Sequence, residues 1–223
     1  MEDVNHFKCP FIDKEKIWHE ADVFRAIYWP EGVVPVDMEK IVESRLKLNI
    51  EPEHNLREDY DIDAWFRRDG TGFVVDYKQY MDERFSNRMR FSFAHEIGHL
   101  VLHKDLYASY RIDALDDWKT FTCQIPEREY KFVEYQANEF AGRLLVPVDR
   151  LRDEINKCLT QIEEQGVLDY LLRDPDAALS RLSPALCKPF GVSDQVVKRR
   201  AEREGLWPPR VERLHGTGFK LIK

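Results

Sequence analysis

Residues 95–99 read His-Glu-Ile-Gly-His, two imidazoles four positions apart with a carboxylate next to the first. On a helix this spacing puts both imidazoles on one face, about 6 Å apart, close enough to share one Zn²⁺ at roughly 2.0–2.1 Å. Glu96 then lies on the flank of that face, where it can take a proton from a water without itself binding the metal. The pattern carries this meaning only inside a helix, and the surroundings supply one: Met89, Phe93, Ile97, Leu100 and Val101 follow a helical period that Ser86 or Asn87 can cap. Two surface histidines are the bland alternative. Phe91, Phe93 and Ala94 weaken it, because they make the helix a packed one whose buried imidazoles need partners.

A catalytic zinc needs a third protein ligand and an open position for water, and two His plus one Glu is an established set. Glu134 is the best candidate, 35 residues beyond His99, on a second helical stretch from Glu129 to Val146. Glu134, Ala137, Asn138 and Ala141 share one face of it, and the small residues allow the two helices to approach closely. Asn138 is placed to hydrogen-bond a ligand and hold its orientation. His103 extends the series His95, His99, His103, but two turns from His95 it has risen about 12 Å and overshoots the metal, which leaves it a supporting or cleft role. Glu139 and Asp105 read as solvated charges.

These helices need a frame. Phe11–Trp29 has the apolar period of an opening helix, Asp37 can cap a short second one, and Leu48–Ile50 is extended before Pro52. Ile62–Phe66 and Gly72–Tyr77 are β-prone runs around Asp69-Gly70, which predicts an antiparallel hairpin whose second run is an edge strand able to align an extended substrate. Residues 104–128 are aromatic-rich without clear period, a length suited to a lid or binding loop. The donor for a developing oxyanion stays open among His103, the tyrosines of residues 107–130 and arginines. Helical patterns follow at about 148–159, 168–173, 177–186 and 193–204.

Arg88–His103 (RMRFSFAHEIGHLVLH) and Val133–Pro147 (VEYQANEFAGRLLVP) resemble the ImmA/IrrE family of metallo-endopeptidases. The resemblance implies a zincin-like α+β fold, in which a small antiparallel sheet and the active-site helix are followed by a C-terminal helical region. It assigns residues 1–147 to the metallopeptidase domain and 148–223 to that region. It also implies bound Zn²⁺ on His95, His99 and Glu134, Glu96 as the catalytic residue of a gluzincin-type site, and regulatory proteolysis with a transcriptional repressor as substrate. Leu182–Leu206 is similar to the family's helix-turn-helix-like segment, with a turn at Gly191, Ser193 as N-cap and a basic second helix. Pro184 and Pro189 depart from a clean pattern, which weakens the expectation of DNA contact.

Bulk properties fit this reading. With 43% apolar and 34% charged residues the chain is globular, and no run approaches the roughly 20 apolar residues of a membrane span. The N-terminal ten residues lack the basic start and apolar core of a signal peptide, so the expected location is cytoplasmic, without a membrane partner. Cys9, Cys123, Cys158 and Cys187 form no CxxC pair and read as reduced thiols. The net charge of −7 hides a tail, Lys188–Lys223, with nine basic against four acidic residues, a pointer to an anionic partner such as DNA. Two rival readings follow. One is a DNA-binding regulator with a structural zinc, which would need a fourth ligand where no Cys is near; the other is an antitoxin-like interaction protein with little peptidase activity, which would not need Glu96.

Overall fold

The computed structural model describes residues 7–67, 70–110, 114–213 and 219–222. Its fold is mixed α+β, in two compact units, Met1–Leu145 and Val146–Lys223. Asp13 caps α1 (Lys14–Tyr28) by accepting from the Lys16 N–H at 2.7 Å. The short helix expected after Asp37 is a π-helical turn, Lys40–Arg45, with Asp37 accepting from the Lys40 N–H. Then come β1 (Asn49–Glu53), α2 (Leu56–Tyr60), β2 (Ala64–Phe66), β3 (Gly72–Asp76) and α3 (Tyr77–Met81). Arg68 and Asp69 of the expected hairpin turn lie outside the described residues.

The hairpin pairs as expected, Trp65 opposite Val74, but β1 joins β3 in parallel, so the sheet is mixed in the order β1-β3-β2. β3 is therefore central rather than an edge. Its five residues are all buried, which explains the continuous apolar run Phe73-Val74-Val75: a strand covered on both faces does not alternate. The edge on the hairpin side is β2.

The metal-motif helix is α4 (Ser86–Leu102). Neither Ser86 nor Asn87 caps it; the cap falls a turn earlier, where Asp82 accepts from the Arg84 N–H and starts a 3₁₀ turn, Glu83–Phe85, leading into the helix. Phe93 docks α4 on the sheet by an edge-to-face contact with Phe73 at 5.4 Å. Most of the described residues of 104–128 are helical rather than irregular. They form α5 (Lys104–Tyr110) and α6 (Leu115–Gln124), whose Leu106 and Phe121 bury in a cluster with Phe7, Ile125 and Val133. Here tertiary packing overrides a weak local signal.

The long α7 (Glu127–Leu145) crosses α4 at Gly98, where an added Cβ would meet the Ala137 carbonyl oxygen at 3.0 Å and the Phe140 Cβ at 3.2 Å. A side chain there would force α7 to give by a few tenths of an ångström, and Ala137 opposite Gly98 completes the tight crossing. On its other side α7 is held by α1: Phe24 packs on Phe140, Trp18 donates to Glu139, and Arg143 pairs with Asp22. The metal-motif helix is thus clamped between sheet and α7, and the hydrophobic core fills both interfaces.

The second unit holds α8 (Val148–Glu164), α9 (Leu168–Leu171), α10 (Pro175–Leu186), α11 (Asp194–Arg203) and the antiparallel pair β4 (Arg210–Arg213) and β5 (Phe219–Ile222). Asp174 caps α10, and Pro184 is accommodated in its last turn, where Ser183 Oγ donates to the Ser180 carbonyl that the proline leaves without its helical donor. A left-handed Gly191 (φ +58°) and the Ser193 cap turn the chain into α11. Of the basic run on α11, Arg200 is buried and paired with Glu204, Lys198 donates to Ser180, and Arg199 is exposed.

Candidate metal centre

At the floor of a cleft of about 240 Å³, three side chains from α4 and α7 converge. His95 Nε2 lies 2.9 Å from His99 Nε2, Glu134 Oε2 lies 3.2 Å from the first, and Glu134 Oε1 lies 3.4 Å from the second. In a tetrahedral site with bonds near 2.05 Å, neighbouring ligand atoms are about 3.3 Å apart, and the three side chains, with one ligand atom each within 4.8 Å of the others, stand close to that spacing. Two neutral imidazole nitrogens and one carboxylate are also the donor types such a site uses, and these three residues form a metal-competent group among the described residues. The crossing at Gly98 produces this convergence: His95 and His99 flank it on α4, and Glu134 stands one turn before Ala137 on α7.

The electrostatics agree with the geometry. Burial alone would lower the His95 pKa, but Glu134 outweighs it and the value is raised. Burial and the neighbouring His95 charge push His99 down to about 3. Burial would raise the Glu134 pKa, but the two histidines hold it well below the usual carboxylate range. The raised His95 pKa favours a proton on its Nε2 between His99 Nε2 and the ionised Glu134, the place where the three lone pairs would converge once that proton leaves.

Asn138 Oδ1 lies 3.2 Å from His95 Nδ1, the neighbourhood expected from its place on α7. His103 does not face the cleft. It is buried behind His99, its Nδ1 3.0 Å from His99 Nδ1 and its Nε2 2.7 Å from Gln136 Oε1. Glu96 lines the cleft, and its Oε2 accepts from the Phe66 N–H of β2 at 3.2 Å.

Asp61–Trp65, Trp118 and Tyr130 also line the cleft. Trp118, on α6, has its ring centre 6.2 Å from that of His99. Tyr60 donates to Asp116 and Lys119 to the Asp59 carbonyl, which ties α6 to the segment before β2. The Tyr130 phenol is pushed up to about 12 by burial and by the Glu134 and Glu96 charges, so it stays protonated as a donor. Trp118 is one of the aromatics of the 104–128 stretch expected to form a lid or binding loop, whereas Gln136 is not among the residues expected at the site. Gln136 had a detectable signal, since a third histidine two turns along a packed helix must find a buried partner, but the sequence does not say which.

The pattern of the IrrE N-terminal-like domain, Peptidase M78, matches residues 82–202 of this chain, more than half its length. The chain belongs to that family. A Peptidase M78 member is a metallopeptidase and requires a metal cofactor, and the match covers both α4 and α7. No curated protein matches the chain. No helix of this Peptidase M78 protein, among the described residues, is long and apolar enough to cross a membrane.

Proposed function

We propose that this metallopeptidase is a gluzincin-type, zinc-dependent endopeptidase that cleaves a protein substrate, a transcriptional repressor, in a cytoplasmic regulatory pathway. The observation that carries the chemistry is the convergence of His95, His99 and Glu134 at 2.9–3.4 Å beneath a cleft that Glu96 lines. Zinc held there would polarise the scissile carbonyl and acidify a water. Glu96 takes the proton from that water and returns it to the leaving amine. Its carboxylate is already oriented by the Phe66 N–H. Tyr130 is the donor we assign to the oxyanion, since His103 is buried behind His99 and the phenol lines the cleft in its protonated form.

The substrate lies along β2. Asp63 and Arg67 spend their ladder groups on Asp76 and Gly72, so by alternation Ala64 and Phe66 turn theirs to the outer edge, where Glu96 meets Phe66. Ala64 is left to pair with an extended peptide in the cleft. The rival reading as a DNA-binding regulator loses support from α11, because burial of Arg200 removes one of its three consecutive cations from any surface. The test is Glu96→Gln against wild type on the same repressor: zinc content unchanged, with cleavage slower by at least about 10²-fold. Equal cleavage by the two proteins would sink the mechanism.

A further inference from the structure

Behind the metal triad, a line of hydrogen bonds runs from α4 through α7 to the N-terminal segment. His99 Nδ1 lies 3.0 Å from His103 Nδ1, His103 Nε2 lies 2.7 Å from Gln136 Oε1, and Gln136 Nε2 donates to the Pro10 carbonyl at 2.8 Å. For neutral imidazoles, the direction of the whole line is fixed from its far end. A carbonyl oxygen only accepts, so the Gln136 amide must turn its NH₂ to Pro10 and its oxygen to His103. An amide oxygen also only accepts, so His103 must carry its proton on Nε2, leaving Nδ1 as acceptor. His99 must then donate from Nδ1, which leaves Nε2 with the lone pair that faces His95 and Glu134.

The segment that supplies the fixed end is itself anchored. The Cys9 N–H donates to Glu129 at 2.8 Å, and Phe7 is buried against Phe121 and Tyr110. Gln136 and His103 are both buried, 3% and 2% exposed, so bulk water does not stand in for either partner.

We propose that Gln136, oriented by the Pro10 carbonyl, is a positioning residue that sets the tautomer of His103 and, through it, presents the His99 Nε2 lone pair to the metal. The role rests on the ligand set proposed above, and it makes residues 7–10 part of the metal site although none of them reaches the metal. It also gives Gln136 two separable duties: an acceptor toward His103 and an anchor for Pro10.

Two variants separate the duties. Gln136→Met keeps length and loses both; Gln136→Glu loses the donor to Pro10 but keeps an acceptor toward His103. Zinc affinity is measured by competition with a chromophoric chelator at pH 8, and the histidine tautomers by ¹⁵N chemical shifts of the metal-free full chain. Gln136→Met should weaken zinc binding by about 10–100-fold, the usual cost of losing a partner behind a metal ligand, and abolish the fixed Nε2–H signature of His103. Gln136→Glu should stay within about threefold of wild type and keep that signature. Equal loss in both variants would show that Gln136 only anchors the N-terminal segment, and an unchanged His103 tautomer in Gln136→Met would overturn the relay outright. Wild-type protein that takes up no zinc would instead fail the ligand set itself, while the tautomer measurement would still decide the relay.

Discussion

Gly98→Ala puts one methyl group into the crossing that brings the metal ligands together. In an ordinary helix interior the change stabilises by about 1 kcal/mol, because alanine loses less backbone entropy than glycine. Here the new Cβ would lie 3.0 Å from the Ala137 carbonyl oxygen, 3.2 Å from the Ala137 Cα and 3.2 Å from the Phe140 Cβ. Two of those three atoms are backbone, so α7 must retreat by a few tenths of an ångström. Overpacking of this kind costs about 1–3 kcal/mol, which outweighs the helix gain and leaves a net loss of about 1 kcal/mol. For a chain of this size that lowers the Tm by about 2–4 °C. The retreat carries Glu134 away from His95 and His99, so zinc affinity should fall on the order of tenfold. Thermal melting with and without zinc, and a chelator competition, read both effects. A Tm that rises, with zinc affinity unchanged, would refute the tight crossing and its role in building the site.

Zinc binding should release one proton near pH 6, since the raised His95 pKa leaves that imidazole protonated while His99, at about 3, is already neutral. Apparent affinity should therefore fall about tenfold per pH unit below the His95 pKa, and calorimetry in buffers of different ionisation enthalpy counts the protons; two protons, or none, would contradict the assignment. Tyr130→Phe should lower kcat by about 10²-fold with zinc content unchanged, the loss expected on removing one oxyanion donor. A KM effect alone would move Tyr130 from chemistry to substrate binding.

The candidate site is legible because its spacing is that of a helix: His95, Glu96 and His99 need only the period of α4 to share a face, and the small residues of α7 signal a close neighbour. The hairpin was legible for a similar reason, with two β-prone runs around Asp-Gly. What the sequence could not show depends on pairing at a distance. Asn49–Glu53 carries no sign that it aligns in parallel with β3, and this pairing alone makes β3 central and leaves β2 as the cleft edge. α5 and α6 were invisible because their stability comes from Phe7 and Val133, remote in sequence, rather than from local period. Arg200 read as one of a basic run, but its position on α11 turns it inward to Glu204. Gln136 was missed because nothing in its own neighbourhood distinguishes it from a surface amide until His103 and Pro10 are brought to it.

On the ligand set proposed above, His95, His99 and Glu134 together would hold the metal of this peptidase. Crystals of the zinc-loaded protein, with anomalous diffraction collected on both sides of the zinc edge, test it directly. One strong peak per chain should lie within bonding distance of His95 Nε2, His99 Nε2 and a Glu134 carboxylate oxygen, with no fourth protein ligand. A peak bound elsewhere, or one at this position closed by a fourth side chain, would contradict it.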